Sequence, residues 1–533
     1  MAYRKNIISS YFILLLISMS FIKAFDGIPN EDTYSTTWAS SQYLTESNNL
    51  PPISLSNNSI RQIVHISVSS PTIRLRFSNR LGESDLEIKG VTIANSVSQG
   101  SGEVDTLTLT TVTFEGKEEV TIPAKTEIYS DPFYYPLKVQ SEVAVSIYFG
   151  KMPEKLTSHA GSRTFSFIEK GNKIKNKKFT AQYKTAHWYV LSAIEVSSSP
   201  AKKVAVCFGD SITDGRGSTD DKQNRWTDAF SKRLYLNDKT MDVGVVNAGI
   251  GATFLLGEAQ ERFERDVLDI KGCTYIVVLY GVNDIIFSNA KTEDLINGYK
   301  ALISKAHQNN KAIYGCTILP FSGNAQYWSE EKEKTRKEIN EWIRKSGENK
   351  QGFDAYFDFD KITKDPDDET KLLADCDSGD GLHPSPHGYV KMAEAIDNLK
   401  LFTVEPNFVD EIEELEVVNK VGIKYKLDFS LEQDEKVTIK IKGRCEGSNG
   451  FRILLNNEEG QKTSDYYYTG KIEKGRFEFE VNLKALDVSN YIVIRRPLST
   501  INIDKIVLTG VEVEAESGKQ SLSLGDNWET IEE

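Results

Sequence analysis

A single hydroxyl stands at the end of an apolar run in "VAVCFGDSITDG", residues 204–215, where Ser211 follows the run in a Gly-Asp-Ser turn. Gly, Asp and Ser are common in turns for local backbone reasons, so the triplet alone does not identify a nucleophile. A serine that transfers acyl groups also needs a base, a group that orients the base, and donors for the developing oxyanion. The rest of the chain must supply these groups.

A candidate base lies in "GDGLHPSPHGY", residues 379–389. Asp380 precedes His383 by three residues, and on a loop this spacing lets a carboxylate reach one ring nitrogen, fix the tautomer and stabilise the imidazolium. His387 is the competing candidate, but it begins a helix-like stretch and has no carboxylate three residues before it. No partner can be identified from the sequence for His65, His159, His187 and His307.

There are three candidate oxyanion donors, two of which follow further strand-like runs. They are the side-chain amide of Asn283 in "GVND", a backbone N–H of the turn "NAGIGA" (residues 247–252), and the backbone N–H of Ser211 itself. Asp210 is predicted to organise the turn that presents the serine, and Asp284 to cap a helix or bind backbone. Gly209 and Gly281 are predicted to support the two turns.

The elements that must position these groups alternate between strand and helix over residues 203–402. Short apolar runs such as "KVAVCF", "YIVVLYG" and "KAIYGCTILP" alternate with helical patterns such as "TEDLINGYKALISKAHQ". This alternation predicts an α/β domain with a parallel sheet covered on both faces. Ligands of such sheets bind at the carboxyl ends of the strands, which is where all the polar motifs fall.

In this order, "GDSITDG", "NAGIGA", "GVND" and "DGLH" resemble the four motif blocks of the SGNH (GDSL) hydrolases, over residues 203 to about 400. The resemblance implies a flavodoxin-like three-layer fold and serine ester hydrolysis without a metal or an organic cofactor. It also implies Ser211 as the nucleophile, His383 as the base, Asp380 as its orienter and Asn283 as an oxyanion donor. The G-x-S-x-G elbow of α/β-hydrolases is absent.

One residue departs from the pattern of the resembled family. The second block usually ends in a glycine whose N–H serves the oxyanion hole, and Ala252 stands there in this chain. Alanine still has the N–H, but a positive φ at this position would strain it by roughly 1–2 kcal/mol or move the donor.

Both flanks of this domain read as β structure. Residues 30–198 carry short alternating runs such as "TIRLRFS" and "EVAVSIYFG", which predict an N-terminal β-sandwich joined through "SSSPAKK" (residues 197–203). Residues 410–514 predict a second sandwich, and 515–533 a flexible polar tail. Tyr466, Tyr467 and Tyr468 offer sugar-stacking faces, or simply form an edge strand.

The net charge and the N-terminal segment indicate which partners and which cellular location to expect. The net charge of −13 argues against nucleic acid as a partner. Residues 1–24 follow the order of a secretory signal, a basic start, an apolar core and small residues, with cleavage expected after Ala24. No later segment is apolar enough to span a bilayer, so we expect a secreted protein without stable membrane insertion after signal cleavage. The oligomeric state stays open.

Five cysteines are too few for disulfides to hold a secreted fold of this size. Cys207 and Cys273 lie in or beside apolar runs and are expected in the core, whereas Cys316, Cys376 and Cys445 could include one bridge.

The leading hypothesis is a secreted serine esterase that removes O-acetyl groups from polysaccharide. The β region before the hydrolase domain resembles that of SGNH esterases, some of them associated with polysaccharide deacetylation, and the C-terminal region could bind carbohydrate. One alternative is a lipase or lysophospholipase, with "TFLLGEAQ" and "DIIFSNA" lining an apolar trough. The other is an inactive hydrolase that binds carbohydrate, for which Ala252 is the main sequence feature.

Overall fold

The structure is a computed structural model that describes residues 29–404 and 406, the strand segments between 415 and 531 given below, and residues 433 and 485. The predicted signal segment, residues 1–24, lies outside the described residues. One compact unit ends at Pro406 and a second begins at Asn407.

Residues 29–199 are built from β-strands. Three short 3₁₀ turns cover Glu31–Thr33, Ser47–Asn49 and Thr106–Thr108. The strands are β1 (Tyr34–Ala39), β2 (Tyr43–Leu44), β3 (Asn58–His65), β4 (Thr72–Ser78), β5 (Leu86–Asn95), β6 (Thr110–Val112), β7 (Val120–Ile122), β8 (Glu127–Tyr129), β9 (Phe133–Tyr134), β10 (Glu142–Phe149), β11 (Thr157–Ala160), β12 (Ser166–Lys170), β13 (Tyr183–Thr185), β14 (His187–Tyr189) and β15 (Leu191–Ser197).

These strands pair antiparallel in three sheets. A five-stranded sheet has the order β1-β15-β4-β8 with β9 also on β4, a seven-stranded sheet has the order β13-β12-β3-β10-β5-β6 with β7 on β5, and a small sheet has the order β14-β11-β2. Alternate side chains of the two larger sheets share one buried core, including Val64 of β3, Leu75 of β4, Val145 of β10 and Ile194 of β15. This arrangement is consistent with the predicted sandwich.

Residues 204–402 form the α/β part of the same unit. Its strands are β16 (Val204–Gly209), β17 (Gly244–Gly249), β18 (Cys273–Leu279), β19 (Ala312–Cys316) and β20 (Ala355–Phe357). Its helices are α1 (Ser211–Asp214), α2 (Trp226–Tyr235), α3 (Glu258–Phe263), α4 (Val282–Ser288), α5 (Thr292–Gln308), α6 (Glu330–Asn349), α7 (Phe359–Thr363) and α8 (Pro386–Glu394); a π turn covers Glu264–Leu268 and a 3₁₀ turn Leu399–Phe402.

The five strands β16–β20 are all parallel and lie in the order β17-β16-β18-β19-β20. This is the 2-1-3-4-5 order of flavodoxin-like sheets. The predicted parallel sheet is therefore confirmed. The three neighbouring strands β17, β16 and β18 end at Gly249, Gly209 and Leu279, which brings the motifs that follow them to one edge of the sheet.

The β-strand region and the α/β region are joined by direct hydrogen bonds as well as by residues 198–203. The Thr36 N–H of β1 donates to the Lys271 carbonyl at 2.9 Å, and the Val245 N–H of β17 donates to the Ser67 hydroxyl at 3.0 Å. A side chain at Gly244 would lie 3.0 Å from Val68, so the two regions approach closely there. The predicted boundary at about residue 200 thus divides the sequence inside one compact unit.

In the second unit, two antiparallel five-stranded sheets are described as backbone. Their strands are β21 (Leu415–Val417), β22 (Gly422–Leu431), β23 (Lys436–Cys445), β24 (Arg452–Asn456), β25 (Tyr467–Tyr468), β26 (Gly475–Lys484), β27 (Ser489–Arg495), β28 (Ile506–Ala515), β29 (Gly518–Leu522) and β30 (Trp528–Ile531). The orders are β21-β28-β23-β26 with β29 on β28, and β25-β24-β27-β22-β30. The C-terminal sandwich stays a prediction. The stretch predicted as a flexible tail differs, because it contains β29 and β30, which pair with β28 and β22.

Two further sequence-based expectations concern the cysteines and membrane spans. Cys207, Cys273, Cys316 and Cys376 are buried free thiols, so no bridge joins Cys316 to Cys376, and the side chain of Cys445 lies outside the described residues. Among the helices that the structure describes, none has both the length and the apolarity to cross a membrane.

Candidate active site

The turn between β16 and α1 presents Ser211 as the first residue of the helix. Gly209 ends the strand, and a Cβ there would lie 2.1 Å from Thr213 Oγ1 and 2.5 Å from the Leu279 carbonyl, so only glycine fits. Asp210 is the N-cap, and its Oδ1 accepts the Ile212 N–H at 3.0 Å. The short helix ends at Asp214 with Gly215 as its C-cap, so the hydroxyl lies on a tightly fixed turn at the sheet edge.

A continuous hydrogen-bonded series links Ser211 to His383 and Asp380. The Ser211 Oγ lies 2.9 Å from His383 Nε2, and His383 Nδ1 lies 2.7 Å from Asp380 Oδ2. The other carboxylate oxygen of Asp380 accepts the backbone N–H groups of His383 at 2.8 Å and Leu382 at 3.0 Å. The structure therefore brings together the three residues that the sequence predicts as nucleophile, base and orienter.

Burial sets the electrostatics of this series. Burial lowers the pKa of His383, and the hydrogen bond to Asp380 offsets only part of that effect. The pKa of Asp380 stays below its usual range, because hydrogen bonds from His383 outweigh the effect of burial. The imidazole is therefore neutral near pH 7 and can accept the serine proton, while the carboxylate stays charged to stabilise the imidazolium.

Asn283 lies in the first turn of α4, directly after β18. Its side-chain N–H₂ donates one hydrogen to the Thr253 carbonyl at 2.9 Å, which fixes the amide and leaves its second hydrogen for a substrate oxygen. Gly281, the N-cap of this helix, has φ +102°, a conformation that favours glycine. The helix start therefore depends on Gly281 and places Asn283 in the turn beside the block "NAGIGA".

Ala252 adopts a left-handed backbone conformation with φ 58°. The sequence left the sign of this angle open, and the structure gives the strained alternative, which costs an alanine roughly 1–2 kcal/mol. A Cβ at the preceding Gly251 would lie 3.9 Å from Ser211 Cβ, so the turn passes directly over the nucleophile. The alanine thus adopts a conformation that favours glycine, and its N–H stays a predicted oxyanion donor.

Two buried carboxyl groups support these turns. Asp284 accepts the N–H groups of Leu255 at 2.8 Å and Leu256 at 3.0 Å, so it binds backbone beyond the "NAGIGA" block. Burial raises the pKa of Asp210 to about 7, and its Oδ2 has no hydrogen-bond partner among the described residues. Asp210 therefore acts on the turn through its other oxygen.

Arg262 was not identified from the sequence and lies beneath the nucleophile turn. Its guanidinium donates to the Gly209 carbonyl at 2.9 Å, to the Tyr280 hydroxyl at 2.5 Å and to Asp266 at 2.9 Å. It also stacks over the Phe208 ring at 4.3 Å. Arg262 therefore holds the end of β16 against the helix that carries it.

A second histidine–aspartate pair, also missed from the sequence, joins α1 to the β-strand region. Asp214 Oδ1 lies 2.9 Å from His159 Nε2, and Asp214 Oδ2 accepts from Arg163 at 2.7 Å. On its other side, His159 Nδ1 lies 2.7 Å from the Ser41 carbonyl. His159 and Asp214 are 55 positions apart, so there is no local spacing signal, although Asp214 belongs to the first motif.

The remaining histidines lie elsewhere. His387 pairs with Asp375 at 3.2 Å on the surface and does not contact Ser211, so the structure favours His383 as the base. His187 accepts the Gly161 N–H at 3.1 Å, and Trp188 and Tyr189 beside it are buried in the core. Within the described residues, no group of three or more His, Cys, Asp and Glu side chains could hold a metal ion.

An aromatic strip follows the oxyanion residues, and we define it as Phe254, Phe287 and Tyr327. The Phe254 and Phe287 ring centroids lie 6.5 Å apart, and those of Phe287 and Tyr327 5.1 Å apart. Phe287 is 53% exposed, and Leu256 nearby is 42% exposed. Phe287 follows Asn283 by four residues on α4, so the two side chains leave the same face of the helix with their Cβ atoms about 6 Å apart.

Comparison with known proteins identifies the family of this domain. Residues 207–391 match the family model of the GDSL-like Lipase/Acylhydrolase family. The matched stretch contains Ser211, Asn283 and the Asp380–His383 loop. This domain is therefore a GDSL-type hydrolase domain, as the four motif blocks indicated. None of the curated proteins matches the chain.

Several solved structures are also similar to the chain, each at a TM-score of 0.30. A GDSL-like lipase from Bacteroides thetaiotaomicron is 17% identical, over 38% of this chain and 89% of its own. A mutant of an acetyl-xylooligosaccharide esterase from Geobacillus Stearmophilus is 19% identical, over 38% and 95%. The lipase/acylhydrolase from Enterococcus faecalis is 22% identical, over 36% and 93%.

Proposed function

We propose that this protein is a secreted serine esterase that hydrolyses small acyl esters, foremost O-acetyl groups on polysaccharide, through an acyl intermediate on Ser211. The observation that carries the esterase chemistry is the series Ser211–His383–Asp380, with contacts of 2.9 and 2.7 Å. A serine bonded to a neutral, oriented imidazole is an activated nucleophile.

In the first half-reaction, Ser211 Oγ attacks the ester carbonyl carbon while His383 Nε2 takes the hydroxyl proton. The carbonyl oxygen becomes an oxyanion, stabilised by the free hydrogen of the Asn283 amide and by the N–H groups of Ser211 and Ala252. The intermediate then collapses, the alcohol leaves with the proton from His383, and the acyl group stays on Ser211.

In the second half-reaction, water attacks the acyl carbon while His383 takes one of its protons. The second tetrahedral intermediate uses the same donors and expels Ser211, which recovers its proton from His383. The acid product leaves, and the enzyme returns to its starting state. Asp380 stays ionised throughout and stabilises the imidazolium twice per turnover.

Low exposure of the reacting groups supports a small acyl group. Ser211 is 9%, His383 6% and Asn283 5% exposed, so little of each reacting side chain is accessible to an incoming carbonyl group. An acetyl group fits this requirement, and the sugar chain that carries it would stay outside. The polysaccharide also suits the predicted export and the β regions on both flanks.

The aromatic strip favours a second candidate function, hydrolysis of longer acyl esters. Phe287 is exposed and the other two rings are half-buried, and together they could cover the methylene groups of a fatty acyl chain, each worth roughly 0.8 kcal/mol on burial. The same apolar rings could also stack on a sugar of the leaving group.

Initial rates on p-nitrophenyl acetate, a long-chain p-nitrophenyl ester and acetylated xylan test the proposal, with Ser211→Ala as the control. We expect release of nitrophenol from the short ester and of acetate from the xylan, both absent in the variant. A preference for the long chain that Phe287→Ala removes would establish the second function. No activity on any ester would favour a carbohydrate-binding protein with an inactive hydrolase domain.

A further inference from the structure

We propose that His159 and Asp214 form a positioning pair that fixes the nucleophile turn to the β-strand region, with His159 held as an imidazolium. The inference rests on the proposed function, because it takes Ser211 as the nucleophile. It makes the β-strand region part of the catalytic apparatus rather than only a neighbour of it.

Counting protons on the ring leads to the imidazolium. His159 Nδ1 faces the Ser41 carbonyl at 2.7 Å, and Nε2 faces Asp214 Oδ1 at 2.9 Å. A carbonyl oxygen and a carboxylate oxygen are both acceptors, so both ring nitrogens must donate. Burial raises the pKa of Asp214, but Arg163 and His159 outweigh it and keep the pKa below its usual range, so Asp214 faces the ring as a carboxylate acceptor.

The surroundings suit a buried cation. His159 is 5% exposed and lies 5.7 Å from the Trp188 ring, with an angle of 30° between the planes. An aromatic face attracts a cation, and the Asp214 carboxylate balances its charge. The other titratable or charged groups nearby are Tyr43, His65, His187, Arg225, Asp228 and Arg262.

The pair acts on Ser211 through a single helical turn. Asp214 is the last residue of α1, and its N–H donates to the Asp210 carbonyl at 2.9 Å. The Gly215 N–H donates to the Ser211 carbonyl at 3.0 Å, so hydrogen bonds hold this turn together as one rigid element. Fixing the Asp214 carboxylate therefore fixes the direction of the Ser211 hydroxyl relative to His383.

Arg163 completes the contact from the loop after β11. Its guanidinium donates to Asp214 Oδ2 at 2.7 Å, while its carbonyl accepts the Asp221 N–H at 2.9 Å. The Asp221 carboxylate in turn accepts the Thr164 hydroxyl at 2.9 Å. The loop that supplies the arginine is thus itself tied to the α/β region beyond α1.

The first test is a double-mutant cycle of His159→Gln and Asp214→Asn, with kcat and KM measured on p-nitrophenyl acetate. The hydrogen bonds of His159 go to Asp214 and the Ser41 carbonyl, so we expect kcat to fall about 10- to 100-fold in each single variant with KM within twofold. Because the two residues act as a unit, the double variant should be no worse than the poorer single variant. Equal kcat in folded His159→Gln protein would overturn the inference.

A matched control separates positioning from general stability. His307→Gln disrupts a similar partly buried pair, His307 Nε2 to Asp354 Oδ2 at 3.1 Å, remote from α1. We expect it to lower the unfolding midpoint without changing kcat of the folded enzyme. If both histidine variants change kcat in proportion to their unfolding midpoints, the His159 pair is only structural and the inference fails.

The proton on His159 has its own readout, which does not depend on activity. In full-length protein with ¹⁵N-labelled histidine at pH 8, one imidazole that disappears in His159→Gln should show both ring nitrogens protonated. A neutral tautomer there would overturn the inference even if Ser211→Ala abolishes hydrolysis. Conversely, activity that survives Ser211→Ala would remove the proposed function while leaving the spectrum of His159 unchanged. If His159→Gln does not fold, Asp214→Asn supplies the same comparison of kcat.

Discussion

Two histidine–aspartate pairs flank the first motif, and they differ in what faces the second ring nitrogen. His383 has Asp380 on one nitrogen and the Ser211 hydroxyl on the other, and a hydroxyl can donate as well as accept. His159 has Asp214 on one nitrogen and a backbone carbonyl on the other. The first ring can be neutral and accept a proton, whereas both nitrogens of the second face acceptors, which is the basis of the imidazolium proposed above.

The contrast shows that burial and a nearby carboxylate do not by themselves make a histidine a base. Both rings are almost fully buried and both lie within 3 Å of a carboxylate oxygen. The number of acceptors that face the ring decides whether it can take up a proton. On this reasoning His383 performs chemistry, and His159 performs positioning.

Removal of the base should have the largest effect. His383→Ala leaves no group to accept the Ser211 proton, so we expect kcat on p-nitrophenyl acetate to fall by about 10⁴-fold or more. The far smaller loss expected for His159→Gln is the matched comparison. Equal losses in the two variants, measured at matched fractions of folded protein, would remove the distinction between the pairs.

Loss of the orienting carboxylate should have the second-largest effect. In Asp380→Asn we expect kcat to decrease about 10³- to 10⁴-fold. The pH dependence sharpens the same test. The base must be neutral, and burial lowers the pKa of His383, so kcat/KM of the wild type should rise with pH through a limb below the usual imidazole value of about 6.5. The carboxylate raises that pKa, so its removal should move the limb to still lower pH. A shift to higher pH in a stopped-flow profile would contradict the assignment.

A smaller loss is expected on the oxyanion side of Ser211. Asn283→Ala removes one donor while the backbone donors remain, so we expect kcat to fall about 10²- to 10³-fold with little change in KM. The midpoint temperature of unfolding should also decrease slightly, because the Thr253 carbonyl loses the hydrogen bond from the Asn283 amide. An unchanged kcat would mean that the oxyanion lies elsewhere.

The smallest effect should come from Ala252→Gly. Because φ is 58° at this residue, glycine removes about 1 kcal/mol of backbone strain. We expect the free energy of unfolding to rise by up to about that amount, with kcat within a few-fold of wild type. A control, Ala252→Val, adds a β-branched side chain at the same φ and should lower the unfolding midpoint. A large gain in kcat in the glycine variant would instead show that alanine displaces the donor.

Much of the α/β region could be predicted because its elements are long and periodic. The pattern "TEDLINGYKALISKAHQ" corresponds to α5 over Thr292–Gln308, and "TIRLRFS" corresponds to β4 over Thr72–Ser78. Residues Ser211, Asn283, Asp380 and His383 were identifiable because each lies in a short motif after a strand. Their geometry then follows from the shared edge of a parallel sheet.

The rest depends on contacts that leave no pattern in the sequence. The helix α1 has only four residues, and His159 and Arg163 reach it from a strand and a loop far away in the chain. Alanine disfavours the left-handed φ that Ala252 adopts, so the residue type does not predict this conformation, which depends on the surrounding turn. The close junction of the two regions likewise arises from single hydrogen bonds such as Ser67 to Val245.

That junction has a consequence for how such a chain can be recombined. A crossover within residues 198–203 would join a foreign β-strand region to this hydrolase domain without interrupting the strands on either side. The product would nevertheless lose the hydrogen bonds that Thr36, Ser67, His159 and Arg163 make across the junction. Exchanging the β-strand region at the apparent linker therefore also removes residues that hold the nucleophile turn in place. The two segments are best kept together as a matched pair in engineering.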